Sequence, residues 1–101
     1  MRLWLDDLRP IPKGYDIWAK TYDQAIKYLV IGGITHISFD HDLSEEKTGY
    51  DVAVWLEQAA YNRYPKLTWS IHSGNPVGAE RIRQAMVNAD IYWTCERENL
   101  N

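Results

Sequence analysis

Short apolar runs along this chain alternate with longer stretches in which apolar residues return at helical spacing. Residues 3–5, 34–39 and 67–72 are rich in apolar, β-branched or aromatic side chains and predict strands. Residues 16–20 and 91–94 could each form a further short strand. Between these runs, three apolar stripes predict amphipathic helices. The stripe of the second helix consists of Val52, Trp55, Leu56, Ala59 and Ala60.

Capping residues mark where these helices begin. Thr21 is followed three residues later by Gln24, and Thr48 is followed by Asp51, which is the spacing of a capping box. Asn75 can cap the third helix, because the proline after it suits the first helical position. Each cap follows a predicted strand or a polar loop, so the helices connect successive strands.

The predicted order is strand, strand, helix, strand, helix, strand, helix, strand. This alternation is typical of an α/β fold with a mostly parallel sheet flanked by helices. We expect one domain over residues 1–101. Residues 8–15 contain two prolines and a glycine and are too few for an ordinary parallel crossover. The second strand is therefore expected to be an irregular edge or no strand at all.

Composition narrows the class of protein. The net charge is -3, and the Lys and Arg residues form no run, so bulk binding to duplex nucleic acid is not expected. The single cysteine, Cys95, excludes an intramolecular disulfide and a cysteine zinc cluster. The apolar start is too short for a signal peptide or a membrane span. We therefore expect a cytoplasmic protein without a membrane partner, whereas its oligomeric state stays open.

Acidic residues stand directly after two predicted strands. Asp6 and Asp7 follow the first strand, and Asp40 follows the strand at residues 34–39. Ligands of open α/β sheets bind outside the carboxyl ends of the strands, so these carboxylates are expected to meet at one edge. Their mutual repulsion would be relieved by a hard cation, and oxygen ligands suit Mg²⁺ or Mn²⁺. Solvated loop acids or helix caps are the alternative interpretation.

Two histidines lie in the same predicted region. His41 stands between Asp40 and Asp42, where it could be a general acid, a metal ligand or a loop residue without a role. His72 ends a predicted strand and is either a second acid–base group or a hydrogen-bonded edge residue. For Asp42 we expect at most a supporting role behind the metal ligands.

Residues 73–78 form a glycine-containing turn that opens the third helix. Its backbone N–H groups at residues 77–79 could hold a phosphate oxygen, together with Ser73, Asn75 and Gly78. Arg9 and Lys47 could also touch a phosphate, although a solvated surface role is favoured for each.

Four motifs in this order resemble the cyclic-phosphate processing receiver domain, a compact divergent relative of response-regulator receivers. The motifs are LDDLRP at residues 5–10, SFDHDL at 38–43, TGYD at 48–51 and HSGNPVG at 72–78. The resemblance covers nearly the whole chain. It implies a receiver-like (flavodoxin-like) fold and the hydrolysis of cyclic phosphates.

The receiver comparison assigns roles to four positions. Asp6 and Asp7 match the acidic pair of receivers, Asp40 matches the phosphoacceptor, and Ser73 is nearest to the small hydroxyl residue. Receivers also carry a lysine after a fifth strand, whereas no lysine follows Lys66 here. The first crossover helix of receivers is also expected to be missing. Both departures argue against ordinary phosphorelay signalling.

The leading hypothesis is a metal-dependent phosphoesterase that acts on a cyclic phosphate of a nucleotide or an RNA end. Asp6, Asp7 and Asp40 would hold the metal, which would polarise the phosphoryl oxygen and activate a water. His41 and His72 would transfer protons. Asp40 could instead act as a nucleophile. The alternative is a non-catalytic module that binds a cyclic nucleotide or a partner protein.

Overall fold

Four strands and three helices form the computed structural model, which describes the backbone of residues 1–99 and the side chains of residues 1–95. The strands are β1 (Arg2–Leu5), β2 (Ile17–Ala19), β3 (His36–Phe39) and β4 (Thr68–Ile71). The helices are α1 (Tyr22–Ile31), α2 (Gly49–Tyr61) and α3 (Pro76–Asn99). Residues 100 and 101 lie outside this description.

The four strands pair in parallel in the order β2-β1-β3-β4. Leu3 is in register with Ile17 on one side and with Ile37 on the other. The predicted α/β fold with a parallel sheet and helices is therefore confirmed. Residues 6–16 join β1 to β2 without a helix, so the first crossover helix of receivers is missing. The second strand does form, as a three-residue edge.

The predicted caps begin α1 and α2. The Thr21 hydroxyl accepts a hydrogen bond from the Gln24 N–H at 3.1 Å. At α2, Thr48 and Asp51 form the complete capping box, since the Thr48 N–H donates to the Asp51 carboxylate at 2.7 Å. Gly32, with φ of 95°, ends α1 in a conformation that a side chain would strain.

One face of the sheet packs on the helices. Because strand side chains alternate between faces, Leu3 and Leu5 of β1 lie on the same side as Ile37 and Phe39 of β3. All four are fully buried and share one core with Leu29, Leu56 and Met86 from α1, α2 and α3. The core therefore lies between this face and a single layer of helices.

The opposite face of the sheet is polar and aromatic. The two ring nitrogens of His36 form hydrogen bonds with the hydroxyls of Thr68 and Ser70, at 2.7 and 3.2 Å. Trp4 stacks on His72 with ring centroids 3.7 Å apart, and Tyr15 meets Trp4 edge-on at 5.2 Å. This face is therefore covered by its own side chains and by the loop that carries Tyr15.

The predicted strand at residues 91–94 is wrong, because these residues belong to α3. The buried stripe of α3 continues through Ala89 to Trp93, and the Trp93 indole N–H donates to the Tyr64 carbonyl at 2.7 Å. Helical spacing and this tertiary contact prevail over the β propensity of the segment. Although α3 is long, no helix within residues 1–99 has the length and apolar character needed to cross a membrane.

Candidate functional site

A cleft of about 480 Å³ opens at the carboxyl edge of the sheet. Its lining includes four carboxylates and one guanidinium. These are Asp6, Asp7, Asp40, Asp42 and Arg9. Leu8, Ser44 and the turn at residues 74–76 complete its wall. The segments after β1, β3 and β4 therefore meet here, at the edge where α/β sheets bind ligands.

Asp6 is the buried member of the acidic group, with only 1% of its surface exposed. One carboxylate oxygen accepts hydrogen bonds from the N–H groups of Leu8 and Arg9, at 2.8 and 2.7 Å. The other oxygen lies 3.0 Å from His72 Nε2. These bonds compensate the burial of a charge and shape the loop after β1.

Asp7 and Asp40 bring their carboxylates close to that of Asp6. One oxygen from each of the three lies within 4.8 Å of the others. The Ser44 hydroxyl hydrogen-bonds to Asp7, and the His41 N–H donates to Asp40 at 2.9 Å. Three hard oxygen donors on an open cleft fit a divalent cation that keeps several waters, such as Mg²⁺ or Mn²⁺.

The electrostatics of Asp40 reflect this crowding. Burial raises the pKa of Asp40, and the neighbouring Asp6 carboxylate raises it further. The hydrogen bond from His41 and the charges of His72 and Arg9 act in the opposite direction. An added cation in the cleft would favour the charged form of Asp40.

Both ring nitrogens of His72 are engaged within the protein. Nε2 is bonded to Asp6, and Nδ1 lies 2.8 Å from the Ser38 hydroxyl. Burial lowers the pKa of His72, which the bond to Asp6 partly offsets. The chain Ser38–His72–Asp6 has the residue types of a hydrolytic triad, but Ser38 is 2% exposed and does not line the cleft. The arrangement orients Asp6 rather than presenting a serine nucleophile.

His41 lies against the start of α3. A Cβ built on Gly78 would meet the His41 ring at 2.3 Å, so only glycine allows this close approach. His41 Nδ1 is 2.9 Å from the Asp42 carboxylate and 3.5 Å from the Asn75 amide. The ring therefore connects the loop after β3 to the cap of α3, and it is not among the groups that line the cleft.

The turn before α3 uses much of its own hydrogen-bonding capacity. The Asn75 carboxamide oxygen accepts from the Gly78 N–H at 3.0 Å, and the Ser73 hydroxyl accepts from the Asn75 N–H at 3.0 Å. The Ala79 N–H donates to the Asn75 carbonyl. These internal bonds compete with the predicted phosphate contacts, whereas Gly74 and Asn75 do line the cleft.

Only glycine fits at position 49, in the first turn of α2. A Cβ there would lie 1.8 Å from the Asp40 carbonyl oxygen, and the Gly49 N–H donates to the His41 carbonyl at 2.8 Å. The TGYD motif therefore packs the first turn of α2 directly on the backbone of Asp40. This contact fixes the carboxyl end of β3 in the site.

Sequence reasoning missed three supports of the site. Ser38 and Trp4 hold His72 from two sides, and Ser44 holds Asp7. A signal for Ser38 was available, since it alternates with the apolar residues of β3 and precedes Asp40 by two positions. Lys47 lies over the Tyr22 ring, 4.1 Å from its centroid, and is not part of the cleft lining.

A model of the cyclic-phosphate processing receiver domain matches residues 1–88 of the 101 in the chain. The chain belongs to this family. The match spans all four motifs that carry the resemblance, and therefore every residue of the cleft. No match is found among curated proteins or among solved structures.

This cyclic-phosphate processing receiver domain departs from response-regulator receivers at one sheet edge. The receiver lysine follows a fifth strand, whereas the residues expected to form a last strand here, 91–94, belong to α3. Lys66 lies two residues before the start of β4, at the opposite end of the strand from the cleft. The domain is thus receiver-like in its acidic site, and no lysine follows Lys66 to match the receiver lysine.

Proposed function

We propose that this domain is a metal-dependent phosphoesterase that opens a cyclic phosphate of a nucleotide or an RNA end. The observation that carries the proposal is the convergence of Asp6, Asp7 and Asp40 within 4.8 Å in an open cleft. The family match supplies the link to cyclic phosphates.

The three carboxylates would hold Mg²⁺ or Mn²⁺, which when bound would polarise a phosphoryl oxygen. Asp6 is rigid because its oxygens are already hydrogen-bonded to Arg9 and His72. Asp7 and Asp40 are less buried and face the cleft. The chain thus offers one fixed ligand and two that adjust to the cation.

Proton transfer to the leaving oxygen is assigned to His72 or His41, which are the proposed acid–base groups. The Ser73, Asn75 and Gly78 turn would lie along the phosphate. In a second version of the mechanism the Asp40 carboxylate attacks phosphorus, and one ring P–O bond breaks as its oxygen takes up a proton. Water then cleaves the bond between Asp40 and phosphorus and releases the substrate as a phosphomonoester.

The test is a panel of 2′,3′- and 3′,5′-cyclic nucleotides and an RNA oligonucleotide that ends in a 2′,3′-cyclic phosphate. Each is incubated with the protein and Mg²⁺ or Mn²⁺, and mass spectrometry detects the addition of one water. Asp40→Asn should abolish opening, whereas Asp23→Asn, an exposed acid in the first turn of α1, should not. Intact rings throughout the panel would refute catalysis on these substrates.

A non-catalytic binding module is the second candidate, and a specific observation favours it. His41 and His72 both bond to other side chains of the site, and neither lines the cleft. A domain that only captures a cyclic nucleotide needs the carboxylates and the cation, but no free acid. Recovery of the intact ligand bound to the metal-loaded protein would support this function.

A further inference from the structure

Arg9 brings a positive charge to the acidic cleft. Its backbone N–H donates to Asp6, its carbonyl accepts from the Trp4 indole at 3.0 Å, and its guanidinium donates to the His72 carbonyl. These three contacts tie Arg9 to the ends of β1 and β4. The side chain is therefore positioned on the cleft although the residue is exposed.

A positively charged side chain would help the proposed site to bind a phosphate anion. Three ionised ligand carboxylates and one divalent cation leave a net charge of about -1, which would repel a phosphodiester anion. Arg9 is the cationic side chain that lines this cleft among the described residues. Burial raises the pKa of Asp40, and the Arg9 charge acts against this rise from within the same cleft.

The guanidinium also retains donors for a ligand. An arginine carries five N–H donors in a planar fork that matches two oxygens of a phosphate. Within residues 1–95, the Arg9 guanidinium makes one hydrogen bond, to the His72 carbonyl. The guanidinium is not crowded by the neighbouring Gly74, since even a Cβ there would make only an ordinary van der Waals contact, 3.7 Å, with Arg9 Nη2.

We propose that Arg9 is the phosphate-binding residue of this cleft and that it contacts the non-bridging oxygens of a phosphodiester held against the carboxylate-bound cation. This inference rests on the proposed function and assigns a role to the Arg9 guanidinium in the same cleft. It places selectivity for a phosphate ligand on the loop after β1, rather than on the helix start at residues 77–79.

The experiment separates metal binding from phosphate binding. Mn²⁺ affinity is measured first, and inorganic phosphate is then titrated calorimetrically into the Mn²⁺-loaded protein. The variants are Arg9→Gln, Arg9→Lys and the control Arg81→Gln, which alters an exposed arginine in a separate cleft on α3. We expect Arg9→Gln to weaken phosphate binding about 10- to 100-fold, as loss of a hydrogen bond to a charged group does.

Arg9→Lys should bind phosphate with intermediate affinity, because it keeps the charge and loses the fork. Mn²⁺ affinity should not fall in any variant, because loss of the Arg9 charge removes a repulsion of the cation rather than a ligand. Phosphate affinity in Arg9→Gln within twofold of wild type would overturn the inference and leave the metal site standing. A loss of Mn²⁺ affinity in Arg9→Gln would also overturn it, since Arg9 would then only support Asp6.

Failure of the proposed function gives a different result. A wild-type protein that does not bind Mn²⁺ refutes the metal-dependent site, and phosphate is then titrated without metal. Phosphate binding that still depends on Arg9 would retain Arg9 as the phosphate-binding residue and overturn the part assigned to the cation. An equal or undetectable affinity in wild type and Arg9→Gln would refute both.

Discussion

His72 Nε2 lies 3.0 Å from Asp6 Oδ2, and this contact joins the end of β4 to the buried carboxylate after β1. If Asp6 is ionised, Nε2 carries the proton, and Nδ1 must then accept from the Ser38 hydroxyl. The stacked Trp4 ring holds the imidazole in this plane. His72 therefore holds the Asp6 carboxylate in place, as residues that are hydrogen-bonded to a metal ligand commonly do.

The two roles of His72 predict different results for His72→Ala. A proton donor would lower turnover by about 10²–10⁴-fold and leave Mn²⁺ affinity unchanged. A support for Asp6 would lower Mn²⁺ affinity by about 10–100-fold. The geometry favours the second result, which calorimetric titration with Mn²⁺ measures. An unchanged affinity together with slow turnover would return His72 to the role of acid.

Metal binding should stabilise the protein against heat. A cation that binds only the folded state adds about 2.7 kcal/mol at a concentration of 100 Kd. Asp40→Asn removes one ligand and one repelling charge, so it should be at least as stable without metal and respond less to it. Calorimetric melting with and without Mn²⁺ compares it with wild type and Asp23→Asn. Equal shifts in all three proteins would argue against the site.

The contact between Gly78 and His41 should appear as an energetic coupling. Gly78→Ala forces the His41 ring away from α3, and we expect a loss of about 1–3 kcal/mol in unfolding free energy. In a His41→Ala background the added methyl has room, so the same change should cost less. Urea unfolding of the four proteins gives the coupling. Additive losses would show that the ring does not restrict position 78.

His36 should make stability depend on pH. Burial, with the Arg2 charge as a further cause, lowers the pKa of His36 below its unfolded value of about 6.5. The unfolded state therefore binds more protons between these two pKa values, so stability rises with pH across this window and is lost as the pH falls through it. His36→Asn should reduce this slope. Urea unfolding at about pH 5 and about pH 7.5 measures it, and an unchanged slope would exclude His36 as a source.

Acetyl phosphate should not leave a long-lived phosphoryl group on Asp40. Receivers contact that group with a lysine, and the corresponding part of this chain is helical and contains none. Intact-protein mass spectrometry after incubation with acetyl phosphate and Mg²⁺ tests this. A stable gain of one phosphoryl group that disappears in Asp40→Asn would restore the receiver mechanism.

Local patterns were sufficient for most of the fold. Thr48 and Asp51 predicted a cap that the structure forms, and the apolar run around Ile37 predicted a strand, which the structure shows to be fully buried. The segment around Trp93 was misjudged because its β-branched and aromatic residues favour a strand in isolation. Its burial depends on a contact with Tyr64, which is distant in sequence and absent from any local pattern.

The site could be predicted only in part, for a related reason. The acids after β1 and β3 could be placed at one edge, because parallel strands end there. The partners of His72 could not, since Ser38 and Asp6 come from two other strands and depend on the register of the sheet. Arg9 was assigned to solvent because its contact with the end of β4 spans 63 positions.

The replacement of a fifth strand by helix leaves β4 as an outer strand of the sheet, opposite β2. Outer strands expose unpaired N–H and C=O groups, which can template aggregation with another chain. Here they are three and four residues long. Strands this short offer few successive groups for pairing, so the shortened sheet resists edge-to-edge association by its length alone.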